Sequence, residues 1–381
     1  MLKKEWLRVA LGMFLVAFGA NLFAPMVVTY QLHTPLTVLH TTFLFGIYAV
    51  GIMVALFLGG PLSDSLGRRA IMRPAMLATI TGSVVLLAGW RGFFLPLLLG
   101  RLLIGIAVGL SMSSGAAWIK ELSTHIHAGA RRSSIALSAG FALSPAVSGI
   151  LAQFVLAPTL VPYLAHILLA LGIIPLVWTA KAGPAAGRPG SFFPRSLLTP
   201  HFLPVAVAAP WVFGSATTAF AFLPSFLSEH LERPILAAGL TAMLTMGTGV
   251  GVQQLAGRVR VTTTHAMVFA TAGMGLCLFI VANHEHPWTV WLLPLAAVVM
   301  GASYGMGMLD GLARTQALCD PAEVGAATGV FYSLTYLGFF APFILSFLGP
   351  AVGYSSTFIV GILVAGLTAL WLFTAGRGNR R

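Results

Sequence analysis

TTFLFGIYAVGIMVALFLGGPLSDSLGRR, residues 41–69, holds the decisive pattern: one long apolar run that stops abruptly in a polar, basic turn. From Thr41 to Leu62 no charged side chain interrupts it, and about 20 such residues carry a helix across the hydrocarbon core of a bilayer. Outward from this stretch the same alternation repeats to both ends. The chain has 381 residues, of which 58% are hydrophobic and only 8% charged. A soluble domain carries roughly a quarter charged residues, so lipid must be the solvent for most of this surface. The net charge of +12 would suit a nucleic-acid binder, but the Lys and Arg residues sit in short clusters between apolar runs, which is the pattern that fixes membrane orientation. The two cysteines, Cys277 and Cys319, lie in or beside apolar segments without a CxxC or Cys/His spacing, so neither a disulfide framework nor a zinc site is indicated.

Reading for runs bounded by Gly, Pro and charge gives twelve expected membrane helices. Helices 1 to 6 are placed at Val9–Tyr30, Thr41–Leu62, Ile71–Trp90, Phe94–Ile119, Ser134–Leu156 and Thr159–Ala180. Helices 7 to 12 are placed at Phe202–Leu227, Pro234–Gly257, Ala266–Ala282, Trp288–Arg314, Val324–Phe347 and Val352–Ala375. The first run follows Lys3, Lys4 and Arg8 as in a signal peptide, yet it is too long and lacks a cleavage site, so it reads as the first span. With the N-terminus inside, the inner segments collect Arg68, Arg69 and Arg73, then Lys120, Arg131 and Arg132, and so on to Arg380 and Arg381, while the outer loops hold only Arg91 and Arg233. Both termini are therefore expected in the cytoplasm.

The Pro- and Gly-rich basic stretch 181–201 reads as a cytoplasmic linker between residues 1–180 and 202–381, each a six-helix bundle. An internal repeat supports the division. Gly105, Gly109 and Gly115 of helix 4 recur as Gly301, Gly305 and Gly311 of helix 10, displaced by 196 positions, and Gly140 and Pro145 of helix 5 have approximate counterparts in Gly338 and Pro342. Duplicated halves mark secondary transporters, in which one bundle rocks against the other; small residues that merely pack membrane helices are the plainer explanation.

The loop GGPLSDSLGRR after helix 2 resembles the signature loop of the major facilitator superfamily at Gly60, Leu62, Asp64, Gly67, Arg68 and Arg69, although Ser65 stands where a basic residue is usual. The resemblance implies an all-α membrane protein of twelve transmembrane helices in two six-helix bundles with pseudo-twofold symmetry. It also implies a gate: Gly60 lets another helix approach, and Asp64 accepts from helix amides or an arginine. A plain topology signal that meets anionic lipid heads is the alternative. GRLLIGIAVGL of helix 4 is similar to the family's arginine-and-glycine motif of proton-coupled members, which makes Arg101 a coupling candidate, against a side chain that snorkels to the outer headgroups. SAGFALSPAVSG of helix 5 looks like a degenerate exporter motif with Ser144 and Ser148 in place of glycines; a bend and a packing face would explain it equally.

Asp310, with Arg314 one turn later, is the carboxylate inside an apolar run and hence the candidate proton carrier, against a static ion pair at the inner interface. His166 is a titratable group inside helix 6, either a relay or a hydrogen-bonded packing residue. The HEH triplet at 284–286 is not expected to bind metal, and no cofactor is expected. From the resemblance, helices 1, 4, 7 and 10 line a central cavity, with Asn21 and Thr217 facing each other and Phe18, Met112, Phe220 and Tyr304 nearby, a lining for an amphipathic substrate.

No nucleophile constellation and no P-loop occurs, so the expectation is a gradient-driven transporter, not an enzyme. It would be a proton-coupled exporter of small drug-like or metabolic compounds, monomeric, with substrate, protons and lipid as partners and no nucleic acid, in a bacterial cytoplasmic membrane. Uptake of a nutrient with protons or sodium, and a nontransporting sensor or assembly module, are the alternatives.

Overall fold

A computed structural model describes residues 5–123, 126–181, 194–255, 261–320 and 323–378. Among them there is no strand, and twelve helices are long and apolar enough to cross a membrane. Helices 1 to 6 are Glu5–His33, Val38–Leu66, Arg68–Ala88, Phe94–Glu121, Arg131–Phe154 and Val161–Trp178. Helices 7 to 12 are Pro200–Phe226, Pro234–Leu255, Thr263–Ala282, Pro287–Ala317, Val324–Val352 and Tyr354–Thr374. Most of the linker, 182–193, and the arginines at 258 and 260 lie outside the described residues. The helices outrun the expected spans mainly at their basic ends. The expected boundaries follow Gly, Pro and charge, whereas the helices continue into the basic ends, where Arg side chains find carbonyls and carboxylates.

Local chemistry sets these ends. Thr37 caps helix 2, accepting from the His40 amide while the His40 ring accepts from the Thr37 amide, a reciprocal box that satisfies otherwise orphaned donors. Gly67, at φ 93°, ends helix 2 and starts helix 3; that left-handed φ favours a residue without Cβ.

Lipid offers no hydrophobic drive between helices, so close backbone packing must hold the bundles. A Cβ at Gly105 would lie 2.1 Å from the Tyr48 carbonyl oxygen, and one at Gly109 2.7 Å from that of Ile52, so helix 4 rides on helix 2. The repeat-related contacts hold helix 10 on helix 8: Gly301 at 2.4 Å from the Thr245 oxygen and Gly305 at 2.5 Å from that of Gly249. The symmetry extends to Gly140, 2.6 Å from the Phe14 oxygen of helix 1, and Gly338, 2.3 Å from the Pro210 oxygen of helix 7. The apolar window of helix 1 is 89% buried and that of helix 12 28%, so helix 1 is central and helix 12 presents leucines such as Leu363 and Leu367 to lipid.

The two halves meet along helices 2 and 11 and along helices 5 and 8. A Cβ on Gly149 would stand 3.1 Å from the Gly239 Cα, and one on Gly239 2.4 Å from the Pro145 oxygen. At the face opposite the basic ends the seam is clasped. Ser225 donates to Gln31 at 2.8 Å, Gln153 accepts from the Ile235 and Leu236 amides at 3.2 Å, and Phe43 meets Phe343 with centroids 5.4 Å apart. Nearer the basic face, a Cβ at Gly60 would meet nothing within 4 Å, and Gly247, Gly251 and Gly325 are exposed.

Candidate functional site

Helices 1 and 7 both change character at mid-depth, at positions 196 apart. Helix 1 turns at Leu22, while helix 7 passes through a π-helical segment, Thr218–Phe222. The break in helix 1 is held by side chains from its own half: Ser144 donates to the Phe18 carbonyl, Ser148 to that of Leu22 at 2.8 Å, and Arg101 Nη1 to that of Ala20 at 3.1 Å. The two serines of the degenerate exporter motif thus bind the centre of helix 1.

Asn21 and Thr217, which the resemblance implies face each other, make no hydrogen bond to each other. Each is buried and spent on its own half: Asn21 Nδ2 donates to the Phe141 carbonyl at 2.9 Å and Thr217 Oγ1 to the Gly338 carbonyl at 3.1 Å. Four residues after each acceptor stands a proline, Pro145 and Pro342. A proline has no N–H, so the carbonyl one turn earlier loses its i+4 donor; the repeat-related polar residue supplies one, at Gly338 alongside the Ala341 amide. The expected equivalence of the two positions is thereby retained in a different role.

Arg101 is 1% exposed, so it does not snorkel to the headgroups. Its side chain runs inward, where Nε donates to the Leu44 carbonyl at 3.0 Å and Nη2 to that of Phe45 at 3.1 Å. Its guanidinium carbon lies 4.2 Å from the Tyr48 ring centroid and 4.4 Å from that of Phe23. No carboxylate pairs with it among the described residues. Carbonyl oxygens and two ring faces take the place of an anion.

Beyond Tyr48 an aromatic seam joins the two halves. Tyr48 meets Tyr336 edge-on at 6.4 Å and Phe339 at 4.8 Å; Phe213 is stacked on Tyr336 at 4.8 Å and on Tyr304 at 5.3 Å. Phe220 packs against Phe45 at 5.8 Å, and the Tyr336 hydroxyl approaches the Met112 sulfur at 3.6 Å. Of the expected lining residues, Met112, Phe220 and Tyr304 are gathered here. Phe18 lies elsewhere, stacked 6.3 Å from His166, which is buried between the Ser83 hydroxyl at 2.7 Å and the Leu15 carbonyl at 3.1 Å. Tyr48, Tyr336, Phe213 and Phe339 were missed. Periodicity cannot separate an aromatic at a seam from one in a core.

At the basic face Asp64 pairs with Arg68, which also reaches Ser63 at 3.0 Å and Glu121 at 2.8 Å. Arg69 donates to the Ala180 carbonyl and Arg73 to that of Trp178 at 3.0 Å. Leu62 is half-buried and Gly67 makes the turn. Gly60, contrary to expectation, has no helix against it; its neighbour Gly59 instead faces Ser113, 2.5 Å from where its Cβ would be. One residue along a helix is a rotation of 100°, which separates the two glycines. Asp310 accepts from the Thr263 amide and hydroxyl, each at 2.6 Å, and from Arg314 Nε at 2.7 Å. It thus ties helix 10 to the start of helix 9. In the HEH stretch His284 Nδ1 contacts the Val281 carbonyl, whereas His286 stacks on Trp288.

Solved structures share this architecture. A D-xylose–proton symporter superposes with a TM-score of 0.74 at 16% identity, over 96% of each chain. A POT family transporter in complex with 5-aminolevulinic acid gives 0.82 at 13% identity, over 97% of this chain and 96% of that one. At such identities the likeness is one of fold. The glucose transporter GlcP of Staphylococcus epidermidis (strain ATCC 12228 / FDA PCI 1200) is 36% identical over 74 residues, 19% of this chain and 16% of that protein's length. The family model of the Major Facilitator Superfamily matches residues 9–339. The chain belongs to the Major Facilitator Superfamily and is a multi-pass secondary transporter, not an enzyme.

Proposed function

We propose that this transporter exports small amphipathic compounds by alternating access, in exchange for protons, with its basic face in a bacterial cytoplasm. The observation that carries the reading is the seam of Tyr48, Phe213, Tyr304, Tyr336 and Phe339, which joins both halves at mid-depth through rings and hydroxyls. Such a lining takes compounds with an apolar body and a few polar groups. The clasp opposite the basic face supports a substrate path that opens to the inside. Positive-inside retention supports a cytoplasmic location for both termini.

Asp310 is the group we assign to coupling. Ionised, it holds Thr263 and Arg314 together; a proton on it weakens both contacts and frees the helix 9–10 junction to move. Asp64 and Arg68, joined within the first half, leave the inner gate unlocked in this state.

In everted vesicles energised by respiration, the chain should drive accumulation of 2-naphthamide, a fluorescent neutral amphipath, and a protonophore should abolish it. Equal levels with and without the chain would defeat the export reading. Uptake of a sugar is the second reading, favoured by the stretch similar to GlcP; protonophore-sensitive accumulation of glucose in intact cells would establish it instead.

A further inference from the structure

The sign of the charge beside the seam bears on what can enter it. Among the described residues the carboxylates hydrogen-bonded or paired at the basic face are Glu5, Asp64, Glu121, Asp310 and Glu323, none of them at the seam. The one ionised side chain at the seam among the described residues is Arg101, a permanent cation. It stands behind Tyr48, with its guanidinium over that ring.

Tyr48 itself is 1% exposed, and its hydroxyl has no hydrogen-bond partner. An unpaired buried hydroxyl is costly unless something else satisfies it. The Tyr336 ring stands edge-on to the Tyr48 ring at 6.4 Å, and Phe213 is stacked on both Tyr336 and Tyr304, so three phenol rings gather in one region between the halves. A cation over the π-face draws electron density from the phenol, which strengthens its hydroxyl as a donor and weakens it as an acceptor.

We propose that the seam selects neutral or anionic substrates that offer a carbonyl or carboxylate to the Tyr48 hydroxyl, and rejects lipophilic cations. This rests on the reading of the seam as the substrate path. Arg101 acts through Tyr48 and through its field, so it is a positioning residue. Two like charges roughly 10 Å apart, at an effective dielectric of about 20, discriminate on the order of tenfold, enough to set the preference between compounds of equal shape.

Three probes that share one ring system separate charge from shape: 2-naphthoate, 2-naphthamide and 2-naphthylmethylammonium. Binding of each to the full chain in nanodiscs is measured against empty nanodiscs. The anion and the amide should bind at least about tenfold more tightly than the ammonium. Tyr48→Phe removes a hydroxyl that makes no hydrogen bond here, so it should fold normally and weaken the anion and amide by roughly tenfold while leaving the ammonium unchanged. Arg101→Gln should narrow the gap between anion and ammonium.

An ammonium that binds as tightly as the other two overturns the proposal and leaves the export reading standing. Unchanged affinities in Tyr48→Phe overturn the role of the hydroxyl. Failure of all three probes to bind removes the amphipathic-substrate reading, and the proposal falls with it.

Discussion

Helices 4 and 10 are copies of one design that differ at one decisive place. Both lay glycines against a neighbour's carbonyls, Gly105 on Tyr48 and Gly301 on Thr245. At the position where helix 4 carries Arg101, however, helix 10 carries Ala297, 196 residues on, fully buried. The first half therefore holds a cation, three carbonyls and two serines around a broken helix 1. The second passes the equivalent point with a π-helical segment and one threonine. Duplication conserves what packing demands, while polar groups are free to become one-sided. Substrate contact needs only one half to supply each chemistry.

The largest expected effect tests the shared part. Gly105→Val and Gly301→Val each drive a side chain into a backbone oxygen, at 2.1 and 2.4 Å from Cβ, which flexible neighbours cannot relieve. Both should abolish properly folded protein, an overpacking cost of about 3 kcal/mol or more, seen as loss of the monodisperse peak in detergent. A folded Gly301→Val beside an unfolded Gly105→Val would mean that the copies are not equivalent.

Next comes the asymmetric part. Arg101→Met removes three hydrogen bonds and a cation between two rings, and should lower stability by about 2–3 kcal/mol and transport by more than tenfold. Ala297→Ser should leave thermal stability and transport near wild type. Equal losses in both variants would undo the comparison.

Smaller effects are expected at the proline-freed carbonyls. Thr217→Val and Asn21→Leu each remove one buried donor, at a cost of about 1 kcal/mol, read as similar shifts in melting temperature. A clear inequality would show which half depends more on its proline.

The smallest concerns the flanks of the linker. Glu5 accepts from the Lys181 amide at 2.9 Å, and Glu323 from the Arg195 and Ser196 amides at 3.2 and 3.1 Å and from the Ser196 hydroxyl. These contacts, first among them the Ser196 hydroxyl, hold the Glu323 carboxyl below its ordinary value of 4.5. Its clamp is thus fully present above that value and lost as pH falls through the lowered one. The protection of the Ser196 amide against exchange, relative to a free amide at the same pH, should fall only in acid, and in Glu323→Gln that acid dependence should vanish.

The architecture was legible because a bilayer constrains it so tightly. Spans need length, basic ends need the inner face, and a helix pressed on a carbonyl needs glycine, so helix number and the 196-residue repeat could be read from composition and spacing. The seam was not, since Tyr48 and Tyr336 look like any core aromatic until the two halves are brought together. The breaks had a faint signal. Pro145 and Pro342 each announce a carbonyl without its i+4 donor, but only tertiary structure shows which side chain answers it. Arg101 was visible as an anomaly, while its direction depended on the carbonyls and rings that surround it.

The clasp opposite the basic face is made of amide, hydroxyl and aromatic groups, whereas every ion pair among the described residues lies at the basic face. Screening by dissolved salt weakens attraction between charges and barely touches a glutamine on two amides. In the proposed orientation, a swing in external salinity therefore has little hold on the door that faces it, and the rate at which that door opens should stay constant from brackish to fresh medium.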